Sequence, residues 1–169
     1  MSAAVTLRVD GAALVEQRLA ALARRFADLT PLMDAFGLTL EEATIDRFDR
    51  ERAPDGSGWT PSIRAREEGG KTLTDSARLR QSIGYRASAA RVEVGTNVIY
   101  AAIHQFGGRI SAKSDRGLTF RLPGGLGFRR KPFVDMPARP FLGVSAEDEA
   151  ELIALAEDFA RDAAPEIES

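Results

Sequence analysis

The chain has no cysteine, one histidine, one tryptophan and two tyrosines among its 169 residues. Without cysteine there is no disulfide framework, no thiolate metal site and no cysteine nucleophile, a composition that suits a reducing cytoplasm. With His104 as the only imidazole, the common zinc arrangements have no ligand set. No apolar run approaches the roughly 20 residues of a membrane span. The N-terminus, MSAAVTLRVDGAALVEQ, lacks a basic segment followed by an apolar one, so no secretion signal is expected. A soluble protein retained where it is made is the expectation. The glycines form no phosphate loop: Gly56-Ser57-Gly58 and Gly124-Gly125-Leu126-Gly127 are not followed by the lysine and hydroxyl that chemistry needs.

What remains has globular proportions, with 44% hydrophobic and 28% charged residues, and the length of one ordinary domain spanning 1–169. The net charge of −2 conceals a segregation. From Arg109 to Arg139 the charges are mostly basic (Lys113, Arg116, Arg121, Arg129, Arg130, Lys131); from Glu147 onward they are acidic except for Arg161. Such blocks serve head-to-tail self-association or stand simply as two solvated faces.

Periodicity divides the chain into an N-terminal strand and helices (1–52), a loop (53–72), a β-rich core (73–144) and a C-terminal helix (145–164). Val5, Leu7 and Val9 alternate as in a strand, and Asp10 is positioned to cap the first helix. Val15, Leu19, Leu22, Phe26 and Leu29 form one apolar stripe of that helix. Thr30-Pro31 restarts a second helix, with Thr30 as cap, that runs to about Arg50. Met33, Phe36, Leu40 and Ala43 mark one of its faces, Leu38 and Ile45 the other, so burial on both sides is expected. Two prolines and two glycines around Trp59 end it. Arg64 to Gly70 reads as a polar, mobile stretch. Thr74 or Asp75 should cap a short helix carrying Leu79 and ending near Ile83. Gly84–Ala87 and Arg91–Gly95 read as paired strands, and Leu118–Leu122 with Leu126–Arg130 as a hairpin about Pro123-Gly124-Gly125. Pro132, Pro137 and Pro140 punctuate an irregular stretch. Ser145 and Asp148 then form a capping box, with Asp in place of Glu, for a helix whose apolar face is Leu152, Leu155, Ala156 and Phe159. The expected class is α+β: N-terminal helices, a small, mostly antiparallel β-sheet with a hairpin, and a C-terminal helix.

No catalytic constellation emerges. His104 has neither a carboxylate nor a serine near it in sequence, no GxSxG is present, and Glu41-Glu42 and Glu67-Glu68 are isolated pairs. His104 therefore reads as structural. No cofactor is expected.

Three ordered segments carry a longer pattern. The first is Trp59-Thr60-Pro61 with Leu73-Thr74-Asp75-Ser76-Ala77-Arg78-Leu79-Arg80-Gln81-Ser82-Ile83. The second is Val94-Gly95-Thr96, then Tyr100-Ala101-Ala102-Ile103-His104-Gln105-Phe106-Gly107-Gly108. The third is Pro137-Ala138-Arg139-Pro140-Phe141-Leu142-Gly143. Together they resemble the phage virion morphogenesis, or tail-completion, family of Mu-like phages and prophages. One departure is Ser76-Ala77, where Thr-Gly is expected. The resemblance implies a non-enzymatic virion subunit forming a ring, often a hexamer, at the head-proximal tail end. It implies contacts with itself, with a tail terminator or tail tube and with head-completion or neck proteins, assembly in the host cytoplasm, and no membrane partner. The alternatives are a neck or packaging factor touching DNA non-specifically through 109–131, and a phage-borne cell-wall hydrolase.

Within that frame the residues have structural expectations. Gly95, Gly107 and Gly108 permit tight turns. Tyr100, Ile103 and Phe106 should pack on one side of a helical turn, with His104 and Gln105 satisfying backbone groups there. Trp59 is either a core plug or an interface anchor. Pro137 and Pro140 should present Arg139 and Phe141, with Arg139 paired to a carboxylate of its own chain or a neighbour's. Arg129, Arg130 and Lys131 should meet an acidic C-terminal helix of the next subunit. The segments 53–70 and 111–117 are expected to order on assembly.

Overall fold

A computed structural model describes residues 12–162, with side chains from residue 16. The strand expected at Ala4–Val9, the Asp10 cap and the side chain of Val15 lie outside the described residues. The elements are α1 (Ala12–Ala27), α2 (Thr30–Arg50), α3 (Ile63–Glu68), α4 (Arg78–Gln81), β1 (Gly84–Ser88), β2 (Arg91–Gly95), α5 (Ala101–Phe106), β3 (Gly108–Ser111), β4 (Leu118–Leu122), β5 (Gly127–Lys131), β6 (Phe133–Met136) and α6 (Ala146–Asp162). The class is α+β. Among the described residues the strands are antiparallel and form two-stranded ribbons, β1-β2, β3-β6 and β4-β5, rather than one sheet.

Helix α2 is the axis. Its deepest face is Leu32, Gly37, Thr44, Arg47 and Phe48. Met33, Phe36, Leu40 and Ala43 flank that face half-buried, Ile45 packs on the core, and Leu38 on the other side is 51% exposed. The helix does not begin on a Thr30 cap. Leu29 occupies that position, and the Thr30 amide is instead bound by Asp28 Oδ1 at 2.9 Å. Gly37 sits mid-helix because Tyr85 of β1 lies against it; any Cβ there would strike the ring. Tyr85 then donates its hydroxyl to Asp34 Oδ1 at 3.0 Å, tying the β1-β2 ribbon to α2.

The core gathers Phe48, Ala53, Trp59, Leu79, Ile83, Val98, Ala101 and Phe141, with Ile45, Leu73, Val94 and Leu142 against it. Phe48 is its centre, edge-on to Trp59 at 5.5 Å and tilted against Phe141 at 5.3 Å. Such aromatic pairs add about 0.5–1.5 kcal/mol beyond the area they bury.

The 53–72 segment is more ordered than its composition suggests. Arg52 bridges to Gly58, the Trp59 amide donates to Glu51 O at 2.8 Å, and Arg64 to Glu68 fall in α3 rather than a mobile stretch. The signal overlooked is Ser62, whose hydroxyl accepts from the Ala65 amide at 3.1 Å as an N-cap. Helix α4 is shorter than expected, and neither Thr74 nor Asp75 caps it. Its cap position is Ala77, at φ 56°.

Between Gly108 and Met136 the chain leaves the core and returns. β3 pairs with β6 at the base, Ala112 N reaches Pro132 O at 2.8 Å, and the β4-β5 hairpin forms the tip. The hairpin is as read from sequence; β3 and β6, hidden in an apparently irregular stretch, are not. Helix α6 closes against α2, with the expected capping box intact. The Asp148 amide donates to Ser145 Oγ at 3.1 Å, and the Ser145 amide donates to Asp148 Oδ2 at 2.7 Å.

Candidate assembly surface

The residues of the long motif divide into those that hold the main chain and those left in solvent. Gln105 is the most heavily used. Its Oε1 accepts from Phe141 N at 2.9 Å and Leu142 N at 3.0 Å, and its Nε2 donates to Leu142 O at 2.8 Å. These are backbone groups of the proline-rich segment, not of its own turn. One amide side chain thus satisfies three groups of a stretch that has no ladder partner. The Trp59 indole donates to Pro140 O at 2.8 Å and is 6% exposed, so Trp59 is a core plug. Leu79 and Phe141 are buried at 2% and 0%.

Arg139 is also buried. Its Nε donates to Thr60 O at 2.7 Å and its amide to His104 O at 2.6 Å. Among the described residues it forms no carboxylate pair, so the expected partner in its own chain is absent. Burial pulls its guanidinium below the ordinary range. The prolines therefore do not present Arg139 and Phe141; they pack them inward.

His104 stands edge-on to Tyr100 at 5.9 Å, and its Nδ1 is buried without a hydrogen-bond partner. Burial, and then the positive charge of Arg139, lower its pKa. It does not satisfy a backbone group through its ring, although its carbonyl receives Arg139. Gly107, at φ 67°, brings α5 so close to the returning chain that a Cβ would meet Ala138 N at 2.7 Å. Gly108 shares the positive φ, but Gly95 does not.

Tyr100 and Phe106, expected on one side of the α5 turn, are 42% and 77% exposed, and Ile99 beside them is 99% exposed. Helix α1 behaves similarly. Leu19 and Phe26 of its stripe are 60% and 48% exposed, with Phe26 touching only the edge of Phe159 at 6.2 Å among the described ring contacts.

The basic stretch is divided by the arm that β3, β4, β5 and β6 form between Gly108 and Met136. Arg109 is taken up by Asp135 (2.7 and 3.1 Å) and lies over the Phe133 ring at 3.9 Å. Arg129, Arg130 and Lys131 lie on β5, exposed throughout. Under the arm a groove of about 590 Å³ runs past Ile63, Leu79, Tyr100, His104, Phe120 and Arg139. In the 53–70 and 111–117 segments, expected to order on assembly, Trp59, Ser62 and Ala112 make hydrogen bonds within the single chain.

Sequence reasoning missed the most elaborate polar site. Arg47 of α2 is buried, pairs with Asp148 of α6, and donates to Phe141 O at 3.0 Å and Gly143 O at 2.8 Å. Its signal was available: an arginine within the α2 stripe, between Thr44 and Phe48.

No group of three or more metal-ligating side chains occurs among the described residues, and no described helix is long and apolar enough to cross a membrane. Polar side chains spent on the main chain thus stand beside large apolar ones left in solvent. The chain belongs to the phage virion morphogenesis family, which matches residues 10–159. It is 32% identical over 155 residues to the Mu-like prophage FluMu G protein 2 of Haemophilus influenzae, covering 92% of this chain and 95% of that one. No solved structure matches it.

Proposed function

We propose that the chain is a non-enzymatic virion subunit that forms a ring, of hexameric type, at the head-proximal end of a phage tail and completes it for joining to the head. Its partners are then further copies of itself, the tail terminator or tail tube, and head-completion or neck proteins. The observation that carries this reading is the division of the motif. Gln105, Trp59 and Arg139 are spent on main-chain carbonyls and amides, while Phe106 of the motif is exposed, as are Ile99, Phe128, and Leu19 and Phe26 of α1 outside it. Apolar side chains that come together in solvent are the mark of contact surfaces.

The test is reconstitution. Tails from a phage lacking this protein are mixed with the purified chain and imaged by negative stain, and head joining is scored. Density at the head-proximal end with restored joining is the expected result. A chain that never binds tails but binds DNA with steep salt dependence would move the function to the neck or packaging reading through 109–131.

A further inference from the structure

The basic run Arg129-Arg130-Lys131 is contiguous in sequence but is not one surface. In a β-ribbon successive side chains point to opposite faces, and cross-strand partners share a face. The register pairs Arg121 with Phe128 and Thr119 with Arg130. Thr119, Arg121, Phe128 and Arg130 therefore form one face, and all four are exposed. Arg129 and Lys131 go to the other face, where they line a cavity with Phe120, Leu122 and Ile63.

The outer face has an odd composition for a free surface. Phe128 is 71% exposed. Arg121 lies directly across from it and Arg130 two residues along. The two guanidinium-bearing positions are diagonal neighbours, about 7–8 Å apart. Neither has a carboxylate partner among the described residues. An aromatic with two such cations beside it calls for an apolar group flanked by carboxylates, a wider spacing that long arginine side chains can span.

Helix α6 carries one. Glu149, Ile153 and Glu157 recur at four-residue spacing, so they form one row along the helix flank, with the carboxylates about 12 Å apart. Ile153 is 54% exposed, Glu149 and Glu157 are exposed, and neither carboxylate is paired among the described residues. The row lies away from the Leu152–Phe159 face that packs inward.

We infer that the outer face of the β4-β5 hairpin, Arg121, Phe128 and Arg130, docks on the Glu149-Ile153-Glu157 row of α6 in a second copy of this chain. The inference rests on the self-associating reading above and deepens it. The contact is heterologous, using two different patches of the same subunit, so copies add head to tail and close into a ring when the rotation allows. Arg129 and Lys131 take no part.

Sedimentation velocity of the full chain and its variants at low salt tests this. R121E/R130E should weaken association by at least about tenfold, as should Phe128→Ala to a lesser degree, whereas R129E/K131E should associate like the natural sequence. Mixing R121E/R130E with E149R/E157R creates two matched contacts, one reversed in sign and one natural, so the two variants should alternate and restore the association that each alone lacks. Retention of wild-type assembly by R121E/R130E would overturn the assignment, leaving the ring reading intact. If that variant also loses salt-dependent DNA affinity, the face belongs to phosphate contacts instead. A natural chain that stays monomeric at every concentration would overturn the self-association reading itself. Circular dichroism melts matching the natural chain confirm that each variant is folded.

Discussion

Replacing Arg47 should be the most damaging single polar substitution in the described part of the molecule. Arg47 joins α2 to α6 through Asp148 and holds two carbonyls, of Phe141 and Gly143, that precede α6. Asp148 at the same time caps α6. Removing one partner of a buried ion pair costs about 3–5 kcal/mol because the other charge is left uncompensated. The two orphaned carbonyls would add about 1–3 kcal/mol each if they stayed dry. They would not stay fully dry, since a cavity of about 560 Å³ runs along Arg47, Asp148 and Ser145 and admits water. The low end is therefore the better figure, about 3 kcal/mol. Against a total stability of about 5–15 kcal/mol that is severe. For a domain of this size it lowers Tm by about 6–12 °C. Arg47→Met, which keeps most of the volume, followed by thermal melting at 222 nm, reads this directly. Arg47→Lys should fall between, because a point charge cannot serve the carboxylate and both carbonyls as the guanidinium fork does. In the double variant Arg47→Met/Asp148→Asn the losses should be less than additive. A melt for Arg47→Met within about 2 °C of the natural chain would refute the claim that this pair ties the C-terminal helix to the core.

Three further outcomes rest on particular residues. Ala77 sits at φ 56° where the family pattern expects glycine, so Ala77→Gly should stabilise the chain. Relief of about 1–2 kcal/mol of left-handed strain, set against about 0.4–1 kcal/mol of glycine entropy, leaves a net gain of about 1 kcal/mol, seen as a higher Tm. Trp59→Ala should cost about 3–5 kcal/mol in a denaturant titration, and the sole tryptophan of the intact chain should emit at a blue-shifted, buried wavelength. His104, the only histidine, has a depressed pKa in the folded state, so below its unfolded value of about 6.5 the unfolded chain binds the extra proton. Stability is then full above that value and falls as pH drops toward the folded pKa, and His104→Gln should flatten this dependence when melts are compared between about pH 7 and 5. The depressed carboxylates Asp28, Asp49, Asp55 and Asp135 titrate in a more acidic window and do not confuse the comparison.

Elements whose period or cap chemistry is local were legible in the sequence: α2, the β1-β2 and β4-β5 ribbons, and α6 with its Ser145–Asp148 box. Those that depend on distant partners were not. β3 and β6 are four residues each; β3 is exposed along its whole length, and β6 alternates too briefly between Pro132 and Pro137 to announce itself, while Gly107 lets the chain approach the returning strand closely. The α1 stripe is plain as a pattern, but a pattern cannot say whether its apolar face meets its own core or another chain, and here much of it stays exposed. The same ambiguity governed Trp59, which packing resolves to the interior, and Phe106, which packing leaves outside. Arg139 shows the limit most clearly. Its motif position signals importance, yet only tertiary contact reveals that its partner is the Thr60 carbonyl rather than a carboxylate. The basic run likewise reads as one patch until the ribbon's pleat divides it.

The central claim is that this subunit works by closing on copies of itself. Native mass spectrometry of the full chain over a range of concentration and salt tests it most directly. A single discrete oligomer, lost as salt rises, is the predicted result. A chain that remains monomeric throughout, or that forms an open-ended ladder of sizes with no closed species, would contradict it.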